Sequence, residues 1–444
     1  MQQLKDEERL AILQRIDFNA RHIEQFTPYD AHIDKRKYNH LQNWIKDRLQ
    51  AIDTDERLKW MLETGRKIMT DSIQIEEEKE LLKLIRDQQH TVFFTHFYEL
   101  VRHYRHFLLI RLRYTDHQLA DQYLRQFATA YDHAKAVQDK LHDATVDIVA
   151  QYAGQGSASR QWADWLTNVF YDTSLDGHIR YLALVRLAFI CYNYKEYHTL
   201  KEMYTYLEKE MFTGRFYSKR TLLNFYNNLL MLHSHYREYD KAVYYGYLSI
   251  RDKNHDYPLY VNNLCAVLLR LGRKKEALEL MKKAAPVVKK TPNFHNRVGF
   301  VAFYMEALNQ NGLYKNAESY GDIFLKAFSK EIIRYRWHLF FSVYLEAMLH
   351  QQHYDKVLHT ASRFSLLQQD KSYQQNPGYL PVIPLWVEIA QYKEGSIGSD
   401  RLLDSLTQYV SATIQKEKKT DALLSLHTLL ERVAPEIAKK LKSL

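Results

Sequence analysis

The residues with the most evident chemical potential gather between positions 90 and 117. His90, His96, His103 and His106 fall there, with His96, Glu99 and His103 at i, i+3 and i+7. On a helix that spacing puts all three on one face, where imidazole nitrogens and a carboxylate can hold a metal ion. Neither His-Glu-x-x-His nor the paired Glu-x-x-His of di-iron bundles is present. Aromatic residues surround the cluster, so its histidines read as interhelix hydrogen-bonding or exposed groups. No metal and no other cofactor is expected. The same stretch carries Arg102, Arg105, Arg111 and Arg113 among Tyr104, Phe107 and Tyr114. Basic residues interleaved with aromatics can follow a phosphate backbone and stack on bases. Here the aromatics recur at helical spacing, which assigns them to a core and the arginines to its flanks. Nucleic-acid binding through this helix is the competing reading.

Other catalytic patterns are missing. The chain has no Gly-rich phosphate loop, no Gly-x-Ser-x-Gly and no kinase-like set. Cys191 and Cys265 sit in apolar helical stretches without adjacent bases, as small buried residues in a reducing, cytoplasmic setting. The expectation is therefore a protein that is not an enzyme.

The elements that must position these residues are helices. Residues 1–153 contain one proline, Pro28, and one glycine, Gly65. Their patterning predicts helices over about 4–25, 29–52, 55–72, 76–114 and 116–152. Thr27-Pro28 reads as a helix start, and Asp53-Thr-Asp-Glu56 and Thr115-Asp116 as capping segments. Leu119, Tyr123, Phe127 and Tyr131 form a stripe, whose simplest partner is Phe93, Phe97, Leu100 and Tyr104 on the preceding helix. A helix of about 35 residues would run on the order of 50 Å, so 1–153 reads as an N-terminal long-helix bundle. The break Gly154-Gln-Gly-Ser-Ala-Ser159 sets the expected domain boundary.

Beyond a short Trp-rich helix at 161–171, one pattern returns five times. Its clear copies are Tyr239-Asp-Lys-Ala242, Lys274-Lys-Glu-Ala277, Tyr314-Lys-Asn-Ala317 and Tyr354-Asp-Lys-Val357, preceded by Tyr197-His-Thr-Leu200. The last positions, 200, 242, 277, 317 and 357, are spaced 42, 35, 40 and 40 apart. Such a period marks a stacked array of helix pairs. Tyr226-Asn-Asn-Leu229 matches Val261-Asn-Asn-Leu264, and Tyr304-Met-Glu-Ala307 matches Tyr344-Leu-Glu-Ala347. Helical repeats are expected over 160–372, and a helical repeat or cap over 373–444 after the break at Pro377-Gly378, Pro381 and Pro384.

The pattern resembles the tetratricopeptide repeat family. Gly312-Leu313-Tyr314 to Ala317 carries its Gly-x-Tyr-x-x-Ala segment whole, while Lys274 replaces the Tyr in the preceding copy. The resemblance covers about 190 residues and implies an all-α fold, an α-α superhelix preceded by the N-terminal bundle. It also implies a concave groove, lined by the first helix of each unit, that holds a protein or peptide partner. Aligned on the Ala positions, the groove residues are Asn227, Met231 and His235, then Asn262, Ala266 and Arg270. Ala302, Glu306, Asn309 and Gln310 follow, and then Ser342, Glu346 and His350. Asn227 and Asn262 hold equivalent positions, so they either bond an extended peptide in register or bond helix to helix within the stack. Glu306 and Glu346 would favour a basic segment. The family's basic clamp for a C-terminal carboxylate is not reproduced, since Arg270 alone is basic among these positions. A peptide-responsive regulator is a close variant of the same reading. Separately, Arg111 and His117 loosely resemble the Arg-x(4–6)-His pattern of helical ribonucleases of the HEPN type, which would add cleavage to the RNA-binding alternative.

Length and charge agree with these expectations. The 444 residues are 46% hydrophobic, with 13 Gly, 8 Pro and 34 Tyr, which suits helices and aromatic interfaces. The net charge of +9 is mild over this length and permits acidic partners without requiring them. The first residues, MQQLKDEERLAILQ, lack the apolar run of a signal peptide, and no stretch reaches the ~18 apolar residues of a membrane helix.

Overall fold

The computed structural model describes residues 6–22, 25–87, 92–152, 159–374, 379–415 and 420–442. It contains 22 α-helices and, among the described residues, no strand. No described helix is long and apolar enough to cross a membrane. The chain divides into two compact units, Met1–Phe225 and Tyr226–Leu444.

Unit 1 holds α1 (Glu7–Arg21), α2 (Lys35–Ile52), α3 (Thr54–Met69), α4 (Ile75–Asp87), α5 (Phe94–Ile110) and α6 (Tyr114–Tyr152). It continues with α7 (Ala163–Tyr171), α8 (Gly177–Tyr194), α9 (Tyr197–Phe212) and the start of α10 (Lys219–His235). The expected aromatic pairing forms between α5 and α6. Phe97 meets Tyr123 edge-on at 5.6 Å, Tyr98 stacks on Tyr131 at 4.2 Å, and Tyr104 is fully buried. At 39 residues, α6 is roughly 58 Å long.

Two expected helices change. The single helix over 76–114 is two helices, α4 and α5. The N–H of Thr95 donates to the buried carboxylate of Asp176 at 3.1 Å, and His178 N–H donates to the Val92 carbonyl at 2.8 Å. These bonds tie the start of α5 to the start of α8, a tertiary contact invisible to periodicity. The helix expected from 29 begins at Lys35, capped by Asp34. Asn19 holds Thr27 through both backbone groups, each at 2.8 Å, and so keeps that segment extended.

Residues 153–158, most of the expected Gly/Ser boundary, lie outside the described residues. The helices flanking them are bonded together. Arg186 of α8 donates to Thr145 Oγ1 of α6 at 2.7 Å, and Trp162 Nε1 donates to Asp147 at 2.8 Å.

Unit 2 continues α10 with α11 (Tyr239–Ser249), α12 (Tyr257–Arg270), α13 (Lys274–Val288), α14 (Phe294–Gln310) and α15 (Tyr314–Tyr335). Then come α16 (Trp337–His350), α17 (Tyr354–Arg363), α18 (Leu366–Tyr373), α19 (Val382–Lys393), α20 (Ser399–Gln415), α21 (Thr420–Val433) and α22 (Pro435–Lys442). The repeat tetrapeptides open α11, α13, α15 and α17, and Ala242, Ala277, Ala317 and Val357 are all fully buried. Pro377 and Gly378 lie outside the described residues.

One turn recurs. After α10, α12, α14, α16 and α19 the chain passes through a left-handed residue: Arg237, Gly272, Gly312, Gln352 and Gly395, with φ between 62° and 74°. The N–H that follows reaches back to the carbonyl five residues earlier, as in Glu238 to His233 and Leu313 to Leu308, both 2.9 Å. Within unit 1, Lys195 makes the same turn between α8 and α9. This Schellman closure satisfies carbonyls that the helix end would leave open.

Four residues after the buried small residue, α11 and α15 carry Gly246 and Gly321. A Cβ on Gly321 would stand 2.6 Å from the Tyr344 ring and 2.8 Å from Met305 Sδ. On Gly246 it would meet the tips of Leu230 and Leu264 at 2.6 and 2.7 Å. Gly321→Ala is expected to destabilise the protein by about 1–3 kcal/mol, because the methyl group would overlap the buried Tyr344 ring and Met305 at once, and Gly246→Ala by less, because leucine tips shift. Gln352→Gly is expected to stabilise by about 1 kcal/mol, since only the side chain strains that turn. Urea midpoints of the three variants check all three signs.

Candidate functional site

The expected groove residues lie on α10, α12, α14 and α16, and four of them, Asn227, Asn262, Arg270 and Asn309, bond from one of these helices to another. Asn262 Nδ2 donates to the Asn296 carbonyl at 3.0 Å, and Asn309 Nδ2 donates to the Val343 carbonyl at 3.1 Å. Each bond reaches one helix ahead along the stack. Two others reach back. Asn263 Nδ2 donates to Asn227 Oδ1 at 3.0 Å, and Arg270 Nη1 donates to Ser234 Oγ at 2.8 Å. Asn227, Asn262 and Asn309 are buried. Their amides therefore act as rungs between helices, the helix-to-helix arrangement that the sequence left open beside peptide binding. The buried Oδ1 atoms of Asn262 and Asn309 have no protein partner among the described residues.

Asn263 and Ser234 complete these rungs and were not among the expected site residues. The repeated Asn-Asn dipeptide at 227–228 and 262–263 carried the signal, but only geometry decides which Asn of each pair turns along the stack.

The far end of the expected groove is covered. Every residue of α16 from Val343 to His350 is buried. The ring of His350 stacks on Tyr314 at 4.0 Å, and the Arg432 guanidinium of α21 lies over the other partner, Tyr314, at 5.2 Å. Leu426, Leu429 and Leu430 of α21 are buried in the core that includes α16. Glu346 and His350 thus lie within the packing of the chain's own C-terminal helices. Burial, aided by the Arg432 charge, pushes the His350 imidazole down to about 4.

What stays open is a stripe across α10, α12 and α14. Met231, His235, Asn263, Ala266, Glu306 and Gln310 are half-buried, and Arg270 is exposed. His235 meets Tyr236 edge-on at 5.1 Å. Glu306 accepts from Gln310 Nε2 at 2.7 Å, and burial raises its carboxyl above the usual range.

The basic helix presents a different picture. Arg105 pairs with Asp121 at 2.9 Å, and Arg111 pairs with Asp71 at 2.7 Å while lying over the Phe107 ring. Arg102 pairs with Glu99, and Arg113 pairs with both Glu78 and Asp116. Each of the four arginines therefore already faces a carboxylate. Arg111 caps the end of α5 while His117 lies in the first turn of α6, beside Gln118 and Asp121 on an open helix surface. Among the candidate metal ligands, Glu99 is taken by Tyr131 and Arg102, and His96 packs edge-on against Phe93. His90 lies outside the described residues. No group of three or more His, Cys, Asp or Glu that could hold a metal occurs among the described residues. Cys191 and Cys265 are free and buried, and burial raises both thiols, Cys191 to about 12.

No family model matches the chain, and no curated protein matches it.

His350 gives a test of the packing at α16. An unfolded imidazole titrates near 6.5, and the folded value is lower. As pH falls the unfolded chain takes up the proton first, so this contribution to stability is complete above 6.5, declines below it and is gone by 4. Unfolding midpoints are therefore expected to fall more steeply between pH 7 and pH 5 in the wild type than in His350→Phe, which keeps the ring stack. Parallel pH profiles would show instead that His350 is solvated.

Proposed function

We propose that unit 2 is a non-catalytic, tetratricopeptide-like binding module that holds a protein segment along the open stripe of α10, α12 and α14. The observation that carries this reading is the set of rungs. Asn227–Asn263, Ser234–Arg270, Asn262–Asn296 and Asn309–Val343 tie successive first helices side by side. A row of helices locked in this way presents a pre-organised surface, and pre-organisation lowers the ordering cost of binding.

The stripe has the composition of a partner surface. Met231 and Ala266 offer apolar contact, while His235, Asn263, Arg270 and Gln310 offer polar groups at its edges. On α16 the equivalent face is covered by α21, an amphipathic helix with buried leucines on one side. That intramolecular contact is a precedent for the chemistry, an amphipathic helix laid against first helices. Glu346 and His350, expected in the groove, lie under α21, so the binding surface ends at α14.

The RNA-binding alternative draws less support. Phosphate would have to displace a carboxylate from each of Arg102, Arg105, Arg111 and Arg113. Exposed pairs are weak, about 0–1 kcal/mol, but Arg105–Asp121 and Arg113–Glu78 are partly buried, and nothing in the arrangement favours displacement.

A photo-crosslinking side chain at Ala266 tests the reading, with Lys275 on α13 as a control site. A defined protein is expected to cross-link from 266 and not from 275. The product should survive nuclease and drop at least several-fold when Arg270→Glu is added. Nuclease-sensitive recovery, or equal cross-linking from both sites, would remove the case for the stripe.

A further inference from the structure

On another part of unit 2, between α15 and α17, lies a cavity of about 340 Å3 that the binding stripe does not use. Lys326 stands on the α15 side, and His359 and Arg363 on the α17 side. None of these three has a carboxylate partner among the described residues, and Arg363 lies 5.3 Å from the Phe364 ring. Beside the cavity, Lys356 is the cation that has carboxylate partners. The nearby Asp322 accepts from Lys356 Nζ at 2.8 and 3.0 Å and from the Tyr344 hydroxyl, and Glu318 takes the same ammonium at 2.6 Å. Lys356 thus shares its single charge between Glu318 and Asp322, whereas Lys326 and Arg363 keep theirs for the open side of the cavity.

Two hydroxyls face the same space. Thr360 is buried, and its hydroxyl has no protein partner among the described residues. Ser329 adjoins Phe328, where α15 breaks with φ −138° and ψ 35°. The kink turns the cavity wall away from a straight helix. Leu325, Phe364 and the Tyr344 ring supply apolar surface beside these groups. Like charges gathered at one concavity repel each other unless an anion joins them, and an arginine fork with hydroxyl donors suits phosphate oxygens.

We propose that the α15–α17 cavity binds a small phosphomonoester. Lys326, His359 and Arg363 hold the dianion, Ser329 and Thr360 donate to its oxygens, and the organic part lies on Leu325 and Phe364. The volume is at the small end of ligand sites, which suits a metabolite-sized group. The same chemistry can arrive as a free phosphorylated molecule or as a phosphorylated side chain of a protein.

Calorimetric titration of the full chain with phenyl phosphate tests this, with phenol as the uncharged control. One equivalent of phenyl phosphate is expected to bind, and phenol is not. Lys326→Ala and Arg363→Ala should each weaken binding about tenfold or more, whereas Lys330→Ala, an exposed lysine of α15 outside the cavity, should change it less than about twofold. Lys326 and Arg363 are exposed, so melting curves should match the wild type. A phosphotyrosine heptapeptide forms a second arm. If it binds more tightly than phenyl phosphate and depends on the same two residues, the source is a modified protein. If it binds more weakly, the source is a free metabolite, and either result keeps the site. Equal binding of phenol and phenyl phosphate, or phenyl phosphate binding that survives Lys326→Ala and Arg363→Ala, overturns the proposal.

Discussion

Unit 2 depends on how closely a second helix can enter the angle between two first helices. At Gly321 the backbone of α15 lies against Met305 of α14 and Tyr344 of α16 with no space for a methyl group. Gly246 does the same for α11 between Leu230 and Leu264. Fully buried Ala242 and Ala317, one helical turn earlier, keep the approach close over a second contact. Tight approach of this kind brings α10, α12, α14 and α16 near enough for short amide side chains to reach the neighbouring helix. The asparagine rungs follow from the small residues and would not span a wider stack.

The turns supply the second constraint. Each first helix ends in a left-handed residue with a backbone bond back into its last turn. The repeated closure fixes where the following helix starts, so the repeat tetrapeptide meets the same neighbours in each pair. Glycine fills the left-handed position in three of the five unit 2 turns, and Arg237 and Gln352 fill the others with some strain. A surface made of separate helices keeps its register only while every turn does.

Helix α16 shows where the array stops being a simple stack. Its residues from Val343 to His350 are all buried, because α14, α15, α19 and α21 pack on the helix. Its two ionisable groups near the C-terminal end, Glu346 and His350, lie inside that packing, beside Tyr314 and Arg432. The buried imidazole stays neutral near pH 7, so the region remains intact without a matching charge. The open face of the first helices is consequently confined to α10 through α14.

The all-helical class, the helix-pair period and the buried Ala positions were legible in the sequence, because each is a local or periodic property. So was the aromatic seam between α5 and α6, whose stripes advance four residues at a time. The break between α4 and α5 was not legible. It depends on Asp176 and His178 bonding to Thr95 and Val92, residues more than eighty positions away in the chain. The candidate site divides in the same way. Sequence alignment placed Asn227, Asn262, Asn309, Glu346 and His350 on first helices, which the register determines. Whether such a side chain faces solvent, a neighbouring helix or α21 depends on what packs against it, and no single segment holds that information. The pairing of Arg102, Arg105, Arg111 and Arg113 belongs with these. Their spacing along α5 and the turn after it is written in the sequence, but three of the five carboxylates that face them, Asp71, Glu78 and Asp121, come from outside that helix and its turn, because only packing brings distant charges within a few ångströms.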